Sequence, residues 1–171
     1  LEGAGHGVWD WEANTNHAFF SHQWKTMLGY TDDEVGNSLD EWQSRVHPDD
    51  LAGCLADLER HFKGETPTYR NEHRIRCKDG HYKWILDQGR VIRWLAPGQP
   101  QRVIGTHTDI SHLKETDAAL RLQAARDSVI LELPRQIDRL DDEDFMKYGL
   151  EQAEHLTASQ ISFIHLIHKN E

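Results

Sequence analysis

Tyr69-Arg70-Asn71-Glu72-His73-Arg74-Ile75-Arg76-Cys77 leads through Lys78-Asp79-Gly80-His81 into Tyr82-Lys83-Trp84-Ile85-Leu86, and this stretch decides the fold. Tyr69, His73, Ile75 and Cys77 alternate with Arg70, Glu72, Arg74 and Arg76, the period of a strand with one covered face and one solvated face. Asp79-Gly80 supplies the positive-φ turn of a hairpin. The next strand, His81 to Arg93, carries Tyr82, Trp84 and Leu86 on one side. Pro97-Gly98 marks another turn, and Gln101 to Ile110 reads as a third strand. Three sequential strands joined by short turns form an antiparallel sheet.

Upstream, Gly7-Val8-Trp9-Asp10-Trp11-Glu12 and Ala18-Phe19-Phe20 are two further strand candidates. Ser21 caps a helix through Trp24, Met27 and Leu28 that Gly29 ends. Asp32-Asp33-Glu34 suggests another helical turn, its acids facing the positive end of the helix dipole. Pro48-Asp49-Asp50 opens a longer helix, on which Leu51, Leu55, Leu58 and Phe62 form an apolar stripe closed by Gly64. With no strand–helix–strand alternation, the class is α+β with an antiparallel sheet.

These residues resemble the PAS sensor family. The resemblance rests on Phe20-Ser21-x-x-Trp24-x-x-Met27-Leu28-Gly29-Tyr30, then Glu34, Trp42 and Val46-His47-Pro48-Asp49-Asp50. It continues through Glu72-x-Arg74, Asp79-Gly80-x-x-x-Trp84 and the closing Gly105-Thr106-x-x-Asp109-Ile110-Ser111-x-x-Lys114. It implies a five-stranded antiparallel sheet with helices on one face, enclosing a small cavity, and a C-terminal helix that relays a signal. A ligand pocket would then lie between the sheet and the stripe helix, with Trp42, Leu55, Leu58, Ile75, Leu86, Ile104 and Thr106 as candidate walls. Asp109, Ile110 and Ser111 would couple the sheet to the exit helix.

Residues 1–114 are therefore read as the sensor domain and 115–140 as a signalling-helix linker. In the linker Ile110, Leu113, Leu120, Ala124 and Leu131 follow a heptad seam interrupted by Asp117 and Asp127. Two readings stand: a helix packed on its own domain, or a parallel dimeric helix, which the resemblance favours. Leu133-Pro134 is expected to end or kink it. Residues 141–171 carry an amphipathic helix through Phe145, Met146, Leu150, Ala153 and Leu156, then an alternating strand from Ile161 to Ile167. That helix–strand piece resembles the opening of a GAF domain, so the chain is read as part of a longer receptor.

Formal charge is −10, from 29 acids against 19 bases, which argues against a nucleic-acid or anionic-membrane surface. Two cysteines provide no disulfide framework, and a cytoplasmic location is expected. Twelve histidines invite a metal, but their spacing builds no metal site. Residues His165 and His168 would fall on opposite faces of a strand, and His47 is read as a helix cap. No cofactor is required: His61 is the nearest candidate for a haem iron, and no flavin-type reactive cysteine run surrounds Cys54. Neither a phosphate loop nor a nucleophile triad appears, and His112 belongs to the exit motif, so no catalytic residue is assigned.

The expected function is a sensory module of a multidomain signalling protein, sensing a small ligand or relaying a signal to a cyclic-di-GMP cyclase, a phosphodiesterase or a histidine kinase. The alternatives are a ligand-free dimerisation scaffold and a haem or flavin redox sensor. A homodimer through flanking helices is the expected assembly.

Overall fold

The computed structural model describes residues 6–137 and 139–157. In chain order the elements are β1 (His6–Glu12), β2 (His17–Phe20), α1 (His22–Met27), α2 (Leu39–Gln43), α3 (Pro48–Phe62), β3 (Tyr69–Arg76), β4 (Tyr82–Ala96), β5 (Gln99–Asp109), α4 (Ser111–Ile137) and α5 (Asp142–Thr157). The five strands form one antiparallel sheet in the order β2-β1-β5-β4-β3. The expected strand at 161–167 lies outside the described residues.

Local chemistry accounts for the boundaries. Ser21 Oγ accepts the Trp24 N–H at 3.2 Å and starts α1, and Gly29 ends that turn at φ +83°. His47 Nδ1 accepts the Asp49 N–H at 3.2 Å, with Pro48 in the first turn of α3. Asp50 then receives Arg74 Nε at 2.8 Å, Nη2 at 2.7 Å and the Arg74 N–H at 2.9 Å, which fastens α3 to β3. Burial along β3 falls on Tyr69, His73 and Ile75, as the alternation requires.

Other expectations need correction. Asp32-Asp33-Glu34 forms turns rather than a helix. There Glu34 accepts from Thr31 and from Lys78, which satisfies the segment without helical bonds. The fully buried residues of α3 are Cys54, Leu58 and His61; of the expected stripe, Leu51, Leu58 and Phe62 pack on the core and Leu55 is 41% exposed. Cys54 and His61 join that face because they find partners inside, Cys54 Sγ on Asn71 and His61 on Thr66 and Val91. On β4 the inward residues are Ile85 and Asp87, so Leu86 lies on the opposite face. α4 is helical through Pro134 to Ile137, because a proline deletes one amide bond without dissolving neighbouring turns.

The chain divides into two compact units, Leu1–Lys114 and Glu115–Glu171. The core of the first lies between the inner face of the sheet and α1 to α3, where Trp9, Phe20, Trp24, Trp42, Leu58, Tyr69 and Ile85 are buried. In the second unit Leu120, Leu122, Ile130 and Leu131 of α4 are exposed. No helix among the described residues is long and apolar enough to cross a membrane.

Candidate functional site

The inner face of the sheet is unusually polar at its centre. β3 presents His73, β4 presents Asp87 and β5 presents His107, all three buried. Three tryptophans from three other elements converge on them. Trp9 Nε1 of β1 donates to Asp87 Oδ1 at 2.8 Å, Trp24 Nε1 of α1 to His107 Nδ1 at 2.8 Å, and Trp42 Nε1 of α2 to His73 Nε2 at 3.1 Å. His107 Nε2 meets Asp87 Oδ2 at 3.0 Å, and His73 Nδ1 meets Asn71 Oδ1 at 3.1 Å.

An indole N–H only donates, so each donation assigns a tautomer. His107 must accept at Nδ1 and carry its proton on Nε2, where it donates to Asp87. His73 must accept at Nε2 and carry its proton on Nδ1, where it donates to Asn71. Both imidazoles are therefore held neutral by their neighbours. Burial pulls His73 down to about 4, outweighing the nearby Asp87 carboxylate. Burial, then Asp87, pushes the Tyr69 hydroxyl up, and burial pushes the Cys54 thiol to about 12.

Backbone geometry makes room for this arrangement. Gly89 and Gly105 are cross-strand partners on β4 and β5, and the Trp9 indole lies across both. A Cβ on Gly105 would stand 2.3 Å from Trp9 Cζ2 and 2.2 Å from the Gln88 carbonyl oxygen. Only glycine at this pair lets Trp9 reach Asp87.

His73, Asp87 and His107 offer ligand atoms within 4.8 Å of one another, the spacing of a metal site. The hydrogen bonds assign a different role. A metal on His107 Nε2 would move the ring proton to Nδ1, directly against the Trp24 N–H, so the trio fits a hydrogen-bonded core. His61 is equally committed: Nδ1 pairs with the Thr66 carbonyl at 2.9 Å and Nε2 accepts the Val91 N–H at 3.2 Å. No lone pair is left there for a haem iron.

Beside the network lies a cavity of about 30 Å³. Trp9, Trp11, Phe20, Trp42 and Tyr69 supply aromatic walls, Ala18, Leu39 and Leu58 aliphatic ones, and Asp10, already paired with Arg102, Asp87 and His107 the polar ones. Of the sequence candidates, Trp42 and Leu58 line it. Ile75 is fully buried in the core without lining it, and Leu55 faces outward. Leu86, Ile104 and Thr106 do not line it, because inward residues on β4 and β5 are Ile85, Asp87, Val103 and His107. Sequence reasoning misses Asp87, because an acid in a strand ordinarily marks the wet face. The signal that could have found it is the pair of glycines, Gly89 and Gly105, which ask for a large neighbour.

At the end of β5 the same strand makes the exit. Asp109 Oδ1 accepts the Ser111 N–H at 2.9 Å, and Asp109 Oδ2 pairs with Lys83 Nζ at 2.9 Å. Burial alone would raise the Asp109 carboxyl, but the bonds from Lys83 and Ser111 hold it below its ordinary value. Ser111 Oγ accepts the Trp84 N–H at 3.0 Å, and the Ile110 N–H donates to the Trp84 carbonyl at 2.8 Å. Lys114 Nζ lies 2.7 Å from Glu72 and 4.9 Å from the centre of the Trp84 ring. The first turn of α4 is thus fixed to β3 and β4 at Asp109, Ile110, Ser111 and Lys114.

A family model described as the PAS fold matches residues 17–107. Among solved structures, the chain is similar to a sensory box histidine kinase/response regulator from Burkholderia thailandensis E264. The identity is 34% over 75% of this chain and 92% of that one, with a TM-score of 0.63. It is also similar to the N-terminal domain of a diguanylate cyclase with PAS/PAC sensor from Marinobacter aquaeolei, 24% identical over 64% of this chain and 98% of that one, TM-score 0.55. A domain of a putative light and redox sensing histidine kinase from Haloarcula marismortui shares 20% identity over 61% of this chain and 89% of that one, TM-score 0.51. No curated protein matches the chain.

Proposed function

The chain belongs to the PAS fold family, and from that premise we propose that its first unit senses occupancy of the cavity and relays it through α4 to an output. The observation that carries this reading is the dual role of β5. His107 faces the buried network, and Asp109, two residues on, holds the first turn of α4. A shift of β5 at one residue is transmitted to the other through a single turn of stiff, paired strand.

The relay makes a direct demand. Trp42→Phe removes one indole donor from the inner face, and hydrogen exchange is then followed at Ser111 to Lys114. Faster exchange in that turn, with the sheet still protected, is the expected result; unchanged exchange there sinks the relay. An absorption spectrum of the purified protein, with mass spectrometry of whatever denaturation releases, tests for a carried ligand or coloured cofactor.

A second reading, a dimerisation scaffold that takes no ligand, is favoured by two observations. The cavity is small, and Leu113, Leu120 and Leu131 of the heptad seam are exposed. A parallel homodimer through α4 suits either reading. Haem and flavin are both far larger than the cavity in this conformation. The output, a cyclic-di-GMP enzyme or a histidine kinase, and a GAF domain opening at α5 are extensions of the same proposal. The output rests on the kinds of protein in which the similar domains occur, and the GAF domain on the sequence resemblance alone.

A further inference from the structure

Resting on the reading of the cavity as a ligand site, we propose that its ligand is a small protonated amine, with a head group no larger than methylammonium. Three observations converge on that chemistry. The walls are aromatic on several sides, Trp9, Trp11, Phe20, Trp42 and Tyr69, and the faces of such rings attract cations. At the edge stands the Asp87 carboxylate, 3% exposed, whose hydrogen bonds come from Trp9 and His107. Among the described residues, no Lys or Arg pairs with it. His107 supplies no positive charge either, because the Trp24 N–H occupies Nδ1 and leaves a single proton on Nε2. A buried carboxylate without a counter-charge is costly, and proteins place a cation beside one.

The third observation concerns Tyr69. Tyr69 is 1% exposed and belongs to the lining, and its hydroxyl, close to Asp87, makes no hydrogen bond of ordinary geometry. Its oxygen is an available acceptor for an N–H donor. The ligand's ammonium would donate there, with its positive charge facing Asp87 and its carbon against the indoles. An anion would meet Asp87 unfavourably, and a neutral alcohol would leave the carboxylate uncompensated. The small cavity sets the size limit.

Isothermal titration of the full chain with methylammonium chloride, against sodium chloride at matched ionic strength, tests the assignment, with methanol as the neutral probe of similar size. The expected result is saturable binding of methylammonium, no matching response to methanol, and affinity about tenfold weaker in Tyr69→Phe. That variant keeps the ring and removes only the hydroxyl, so it should fold as the wild type does. Asp87→Asn should abolish binding, and where it fails to fold the Tyr69→Phe result decides. Methanol binding as well as methylammonium would overturn the cation assignment and leave the cavity standing as a ligand site. No saturable response to either probe would overturn both. Equal affinity in wild type and Tyr69→Phe would place the amine elsewhere and overturn the proposal.

Discussion

The two faces of the same sheet are held by different chemistry. On the inner face, neutral indoles donate to imidazoles and a carboxylate that water does not reach. On the outer and edge positions, full charges pair in partial contact with solvent: Arg74 with Asp50, Lys83 with Asp109, Lys114 with Glu72. Screening weakens the second kind, and exposed pairs contribute about 0–1 kcal/mol each. Breaking one of the first kind strands a buried polar atom, at about 1–3 kcal/mol. The inside therefore fixes the fold, while the outer pairs position α3 and the first turn of α4 against the sheet.

The hardest test of that contrast is Gly105→Ala. Its methyl group has no space between Trp9 and the Gln88 carbonyl, and overpacking against backbone should destabilise the protein by about 3 kcal/mol or leave it unfolded. Urea unfolding followed by tryptophan fluorescence measures this. Trp24→Phe keeps an aromatic ring but leaves His107 Nδ1 buried without its donor; a loss of about 2–3 kcal/mol is expected in the same assay.

Protonation probes the inside more gently. His73 is held near 4 in the folded chain, below its unfolded value of about 6.5. The unfolded state thus binds the proton first, and this contribution is fully present above about pH 6.5 and lost as pH falls toward 4. Between pH 7 and 5 unfolding free energy should drop by about 2 kcal/mol, and His73→Gln should flatten that slope. Equal slopes in the two proteins would remove His73 from the account.

Outside, the effects shrink. Arg74→Ala should destabilise the protein less than Trp24→Phe does, since the pair is two-pronged yet partly exposed. Asp50 sits at about 2 because of Arg74, so this contribution is present above about pH 4 and lost as pH falls toward 2. In the Arg74→Ala variant that acid-side loss should largely vanish. Leu55→Ala, on the exposed side of α3, should change stability by less than about 0.5 kcal/mol. A loss comparable to that of Trp24→Phe would show that the helix face is misassigned.

By itself, the sequence determined the elements whose causes are local. The Asp79-Gly80 turn, the Ser21 and His47 caps, the alternation of Tyr69, His73 and Ile75 and the glycine stops all depend on residues within a few positions of one another, and the α+β sheet follows from their order. It also marked Asp109 as the exit, through a motif confined to a dozen residues. It did not determine which face of β4 and β5 turns inward. Tyr82, Trp84 and Leu86 are more apolar than Lys83, Ile85 and Asp87, so hydrophobicity alone points the strand the wrong way. Only the tertiary structure brings Trp9, 78 positions away in the chain, onto Asp87, and sets His107 between that carboxylate and Trp24. A buried polar group is tolerated when its partners arrive from distant elements, and the energy that decides it belongs to the pair rather than to either residue.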